Sequence, residues 1–185
     1  MKRARSLPLL VHGLPRDGVV DLADPAKRTL EDQRRGLSTL TTLQRHVDIV
    51  LGMNEMELRQ VLTALGVDWQ DGGSEFEQAR KGCEIVRDKL GVTYAMCHLV
   101  KSAAVAWNRA GEKASACADG FFEPKPKITT GAGDHFNAGF LAALLAGIAP
   151  LHAIQIGGAT SGFYVRNAAS PTRADVVGFL RGPAT

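Results

Sequence analysis

The sequence is poor in the features that announce several protein classes. Its three cysteines, Cys83, Cys97 and Cys117, are an odd count whose spacings fit neither a disulfide framework nor a zinc site. They point to a reducing cytosol and to buried, unreactive thiols. No apolar run reaches the ~18 residues of a membrane span, and Leu7 to Val11 is too short and proline-broken for a signal-peptide core. A soluble, cytoplasmic protein with no membrane partner is expected. The five histidines at 12, 46, 98, 135 and 152 show no metal-ligand spacing and read as surface or packing residues. Basic residues are scattered: the net charge is +3, and the single cluster Lys2, Arg3 and Arg5 is too short for a nucleic-acid stripe. There are no internal repeats or low-complexity segments. Neither a Gly-Lys-Ser/Thr P-loop close nor a dinucleotide fingerprint occurs.

What is present is an ordinary globular composition, 45% hydrophobic and 22% charged over 185 residues, enough for one packed domain. Residues 1–18, with prolines at 8 and 15, read as a loosely held lead-in to a portion spanning 19–185. Val19 to Ala23 is a short strand ended by Asp24-Pro25. Residues 26–44 suit a surface helix, and Val47 to Leu51 a buried strand. Gly52-Met53-Asn54 turns the chain into a helix over 55–65 capped by Gly66, and a second helix over 75–90 is closed by Gly91. Runs at 92–99, 103–108 and 113–118 read as a parallel strand followed by a hairpin turning at Arg109 to Glu112. Helices are expected over 151–165 and 172–180, the latter opened by Ser170-Pro171-Thr172. Strands alternating with helices give an α/β fold with a mainly parallel sheet, whose ligands gather at the carboxyl ends of the strands.

The chain is organised around Thr129-Thr130-Gly131-Ala132-Gly133-Asp134, which opens an apolar helix carrying Phe136, Phe140, Leu141, Leu144, Leu145 and Ile148. N–H groups at a helix start lack intrahelical acceptors and lie at the positive end of the macrodipole, so an anion is stabilised there. The two glycines let it approach the backbone. In isolation, Gly-x-Gly-Asp reads first as a glycine turn with an acid placed to suit the dipole.

The longer string Ile128 to Leu141, with Gly-Ala-Gly-Asp at its centre, resembles the C-terminal signature of the ribokinase-like carbohydrate kinases, the phosphofructokinase B family. The resemblance covers about residues 19–182. It implies a three-layer αβα architecture, ATP with Mg2+, and a small-molecule sugar as acceptor. Asp134 would be the catalytic base, and Gly131, Ala132 and Gly133 the anion hole. Asn54-Glu55-Met56-Glu57 resembles the family's Asn-x-x-Glu motif, placing Asn54 and Glu57 near the nucleotide, with Glu57 reaching Mg2+ through water. The same pair suits a capping box worth ~1 kcal/mol. His98 to Ala104 falls where the family has a glycine-containing loop against the nucleotide. The glycines are absent here, and Lys101 is either a phosphate contact or a solvated loop lysine.

Gly157-Gly158 and Tyr164 to Ala168 resemble the helix and loop that border the adenine, so Thr130, Gly157 and Asn167 join the implied nucleotide set. Each helical glycine costs about 1 kcal/mol against alanine, which asks for close packing or a ligand. Ile128 stands where many relatives carry an aspartate that helps bind a monovalent cation, which removes the expected cation ligand. The match is to the C-terminal part of the longer family fold, without the N-terminal strands, the lid and the sugar-gripping residues. Three functions therefore stand side by side: a sugar kinase, a catalytically silent nucleotide-binding remnant, and a module completed by another chain or by a homo-oligomer.

Overall fold

The computed structural model describes residues 17–21, 27–69 and 72–182. In chain order these hold β1 (Asp17–Asp21), α1 (Leu30–Leu43), β2 (Asp48–Asn54), α2 (Glu55–Ala64), α3 (Glu75–Leu90), β3 (Tyr94–His98), β4 (Ser102–Arg109) and β5 (Glu112–Asp119). Helices α4 (Ala132–Leu145), α5 (Pro150–Asn167) and α6 (Arg173–Arg181) follow. The strands form one sheet in the order β1-β2-β3-β4-β5, a mixed sheet flanked by helices. The lead-in expected over 1–18 lies outside the described residues as far as 16. Its last two residues belong instead to β1, where Asp17 and Gly18 pair in parallel with Asp48 and Ile49. The pairing gives backbone groups partners that no local pattern announces. Asp24-Pro25 also lies outside the described residues.

The chain divides into two compact units, one made of 1–97 with 106–115, the other of 98–105 with 116–185. In the first, Gln44 just past α1 ties two strand starts together. Its Oε1 accepts the N–H groups of Ile49 and Thr93, each at 2.9 Å, and the Thr93 hydroxyl donates to Asp48 at 2.9 Å. With their first residues held side by side, β2 and β3 run the same way. Ile49, Val50, Leu51 and Met53 of β2 are buried with Leu58, Val61 and Leu62 of α2. The expected hairpin is present: β4 and β5 are joined by Ala110-Gly111, both at positive φ, and a two-residue connection serves only antiparallel neighbours.

In the second unit α4 and α5 cross closely. A Cβ at Gly139 would stand 2.8 Å from Thr160 Cβ and 3.1 Å from Gly157 Cα, so only glycine permits this approach. Pro150 opens α5 at its first turn, and Thr172 with Asp175 forms a complete capping box on α6. Arg166 of α5 binds the segment before α4: it donates to the carbonyls of Phe121 (3.0 Å) and Phe122 (2.7 Å) and pairs with Glu123 at 3.0 Å. The Lys127 N–H reaches Val165 O at 2.8 Å. The approach to the glycine turn is thereby fixed on the end of α5.

Candidate functional site

Gly131 is the N-cap of α4, with φ +86 and no side-chain cap. That backbone region is open to glycine at no steric cost. The Ala132 N–H closes a turn onto Thr129 O at 3.1 Å, and the His135 N–H begins the helix ladder on Gly131 O at 3.1 Å. The N–H groups of Gly131, Gly133 and Asp134 find no acceptor among the described residues. Two of the three expected anion-hole residues thus offer a backbone donor, Asp134 adds its own, and the Ala132 donor is used within the turn. The Asp134 carboxylate is exposed in the first turn, where the macrodipole favours negative charge. Phe136, Phe140 and Ala143 are buried along α4 and hold its first turn in place.

His98 ends β3 beside this turn. Its ring lies 5.4 Å from that of Phe136, and a Cβ at Gly133 would come within 3.0 Å of its Cε1 and Nε2. That contact explains the glycine at 133 independently of any ligand. Burial pushes the His98 pKa down to about 4, while the Asp134 charge pulls the other way. The imidazole is therefore neutral near pH 7. Read from the sequence as a surface or packing residue, His98 packs on Phe136 and adjoins the turn. Its position at the end of a buried strand is the signal that could have singled it out.

Asn54 and Glu57 lie in the first unit and form the full capping box: the Asn54 N–H donates to Glu57 Oε2 at 2.8 Å, and the Glu57 N–H to Asn54 Oδ1 at 2.9 Å. Lys101 is exposed in the β3–β4 connection, its ammonium 5.1 Å over the Phe122 ring, and its carbonyl accepts the Gly120 N–H at 2.7 Å. Thr130 is exposed, with its carbonyl accepting from the Tyr164 hydroxyl at 2.9 Å. Gly157 is buried, and a Cβ there would come 2.9 Å from Phe136 O, so packing alone accounts for this glycine. Asn167 ends α5, exposed, donating to Phe163 O at 2.9 Å. Ile128 is half-buried and brings no carboxylate to its position.

Cys83 and Cys97 are buried as expected, whereas Cys117 on β5 is partly exposed. Burial, reinforced by the charges of Glu55, Glu57 and Glu75, pushes the Cys97 thiol up and out of the reactive range. Among the described residues no group of three or more His, Cys, Asp or Glu could hold a metal ion, and no helix is long and apolar enough to cross a membrane.

A glycine-opened apolar helix with a first-turn carboxylate, beside a mixed sheet flanked by helices, matches the ribokinase-like fold of the phosphofructokinase B class. The chain belongs to the prokaryotic ketohexokinase family, whose model matches residues 5–182. It is 27% identical over 168 residues to a ketohexokinase of Haloferax volcanii, covering 91% of this chain and 42% of that protein. Among solved structures it is similar to the ribokinase of Thermotoga maritima (24% identity, TM-score 0.59, 89% of this chain and 48% of that one). It is also similar to the ADP-bound ribokinase of Cryptococcus neoformans (22%, TM-score 0.62, 86% and 50%) and to the Arabidopsis thaliana ribokinase complexed with ribose and ATP (18%, TM-score 0.60, 89% and 55%). At these identities the structures establish the fold. The chain spans less than half the length of the curated relative and about half of the structures it matches.

Proposed function

We propose that this chain carries the nucleotide side and the base of an ATP-dependent kinase that phosphorylates a sugar hydroxyl. The observation that carries the reading is the first turn of α4, where N–H groups of Gly131, Gly133 and Asp134 that find no acceptor among the described residues stand with an exposed carboxylate. Phosphoryl transfer asks mainly for positioning and charge stabilisation, with one carboxylate to orient and deprotonate the nucleophile. Asp134 takes the proton of the attacking hydroxyl as the oxygen–phosphorus bond forms, and the bond to the leaving nucleotide breaks. The N–H groups hold the charge on the transferring group.

ATP is supported by the ADP and ATP complexes of the ribokinases. The donor set at α4 fits a phosphate. Magnesium would neutralise the phosphate charge, and Glu57, whose Oε2 accepts the Asn54 N–H, is the carboxylate that would meet it through water. Thr130, Lys101 and Asn167 are exposed and join the nucleotide set, whereas Gly157 contributes through packing. Ile128 gives no support to a monovalent cation site. The family makes a ketohexose the first acceptor to try.

The test is sugar-dependent ADP release by the full chain beside its Asp134→Asn variant. The reading expects release that vanishes in the variant while ATP with magnesium still raises the melting temperature of both. Stabilisation without turnover in the native chain would favour the silent nucleotide binder. Absence of both effects would favour a module completed by another chain.

A further inference from the structure

The glycine turn is gripped from its outer side by two stacked aromatic side chains. Tyr164 of α5 donates its hydroxyl proton to Thr130 O at 2.9 Å. His135, next to Asp134, has Nδ1 2.7 Å from Gly131 O. A carbonyl oxygen can only accept, so Nδ1 carries the proton, and in the neutral ring Nε2 accepts from the Ser170 hydroxyl at 2.9 Å. The two rings lie parallel, centroids 3.6 Å apart and planes 13° from each other. Two successive carbonyls of the turn, Thr130 and Gly131, are thus each held by a side-chain donor from a partner locked by the other.

A trans peptide sets its C=O and N–H on opposite sides. Holding Thr130 O against Tyr164 therefore turns the Gly131 N–H to the far side of the turn. Holding Gly131 O fixes the next peptide plane, whose N–H closes onto Thr129 O. The need for such a hold is local: Gly131 sits at φ +86, where a glycine has the widest choice of torsions, and Gly133 follows two residues on. A side chain at 131 would also meet the Tyr164 hydroxyl, 3.3 Å from the Cβ position.

We propose that Tyr164 and His135 form a clamp that preorganises the turn, with Tyr164 as the positioning residue that aims the Gly131 N–H toward the anion. This rests on the reading of α4 as a phosphate site. Donors fixed before binding cost no ordering when the ligand arrives, so the clamp acts on affinity for the anion rather than on the fold.

Tyr164→Phe keeps the ring stack and removes only the hydroxyl, and His135→Phe keeps the stack and removes both imidazole hydrogen bonds. On the 15N-labelled full chain, amide hydrogen exchange at Ala132 and His135, titration with magnesium-ATP and the melting temperature are measured together. The clamp predicts exchange faster by about three- to tenfold at those two amides, the factor of one lost hydrogen bond, with the rest of α4 unchanged. Nucleotide affinity should fall by a similar factor at a nearly constant melting temperature. Unchanged exchange at both amides in both variants would overturn the proposal, as would acceleration spread evenly along α4. If the native chain does not bind magnesium-ATP, the kinase reading fails while the exchange data still decide whether the clamp holds the turn.

Discussion

Gly157 and Gly158 are neighbours in α5, yet alanine should act on them with opposite sign. At Gly157 an added Cβ would stand 2.9 Å from Phe136 O, a backbone atom that cannot move without α4, and 3.3 Å from two atoms of the Phe136 ring. At Gly158 the nearest atom is Phe121 Cδ2 at 3.5 Å, an ordinary contact. Overpacking a close helix crossing costs about 1–3 kcal/mol, and replacing a helical glycine by alanine returns about 1 kcal/mol. Because the atom met at 2.9 Å is backbone, the overpacking falls in the upper part of that range, about 2–3 kcal/mol, so Gly157→Ala loses about 1–2 kcal/mol net, a fall of about 2–8 °C in melting temperature for a chain of this size. Gly158→Ala gains about 0.5–1 kcal/mol, a rise of about 1–4 °C. Thermal melts of the two variants without nucleotide decide the matter. Shifts of the same sign would refute the packing argument, as would a Gly157→Ala protein that melts normally but binds nucleotide weakly.

At the β2–α2 junction, Asn54→Ala removes one half of the capping box and should cost ~1 kcal/mol, read as a melting temperature lower by about 2–4 °C. Glu57→Gln retains a side-chain oxygen to accept the Asn54 N–H, so it should disturb magnesium dependence of nucleotide binding more than melting; the reverse would leave a cap alone. His98 makes stability depend on pH with a defined sign. Its pKa is about 4 in the folded chain against 6.5 for the free side chain, so between those values the unfolded state binds the extra proton. Stability is then lost as pH falls from about 6.5 toward 4. His98→Gln should show a shallower loss in urea midpoint between pH 7 and pH 5, and parallel curves would count against the buried, neutral imidazole.

The parts of the candidate site that lie within a few residues of one another are legible in the chain. Gly131 to Asp134 is a local pattern whose physics, orphan N–H groups beside a carboxylate, needs no distant partner. Asn54 and Glu57 announce their box because both halves fall within one turn, and the helix over 75–90 carries its cap, Ser74, and its stop, Gly91, at its own ends. Contacts made across the fold were not legible. His98 meets Gly133 thirty-five positions on, Tyr164 reaches back to Thr130, and Lys101 lies over Phe122, each through packing that no periodicity encodes. Gly157 was open between ligand and packing until the α4 backbone facing it was known. The internal use of the Ala132 N–H was equally hidden, because a tight turn and an open anion site share the same glycine-rich spelling. Asp17 and Gly18 joined a strand only through their pairing with β2.

The central claim is that the first turn of α4 receives the phosphates of a nucleotide. It is tested most directly by following the backbone amide resonances of the 15N-labelled chain as magnesium-ATP is added. The account predicts that Gly131, Gly133 and Asp134 shift most, while Ala132, already bonded to Thr129 O, shifts less. Saturable shifts centred elsewhere in the chain, with these three amides unmoved, would contradict it.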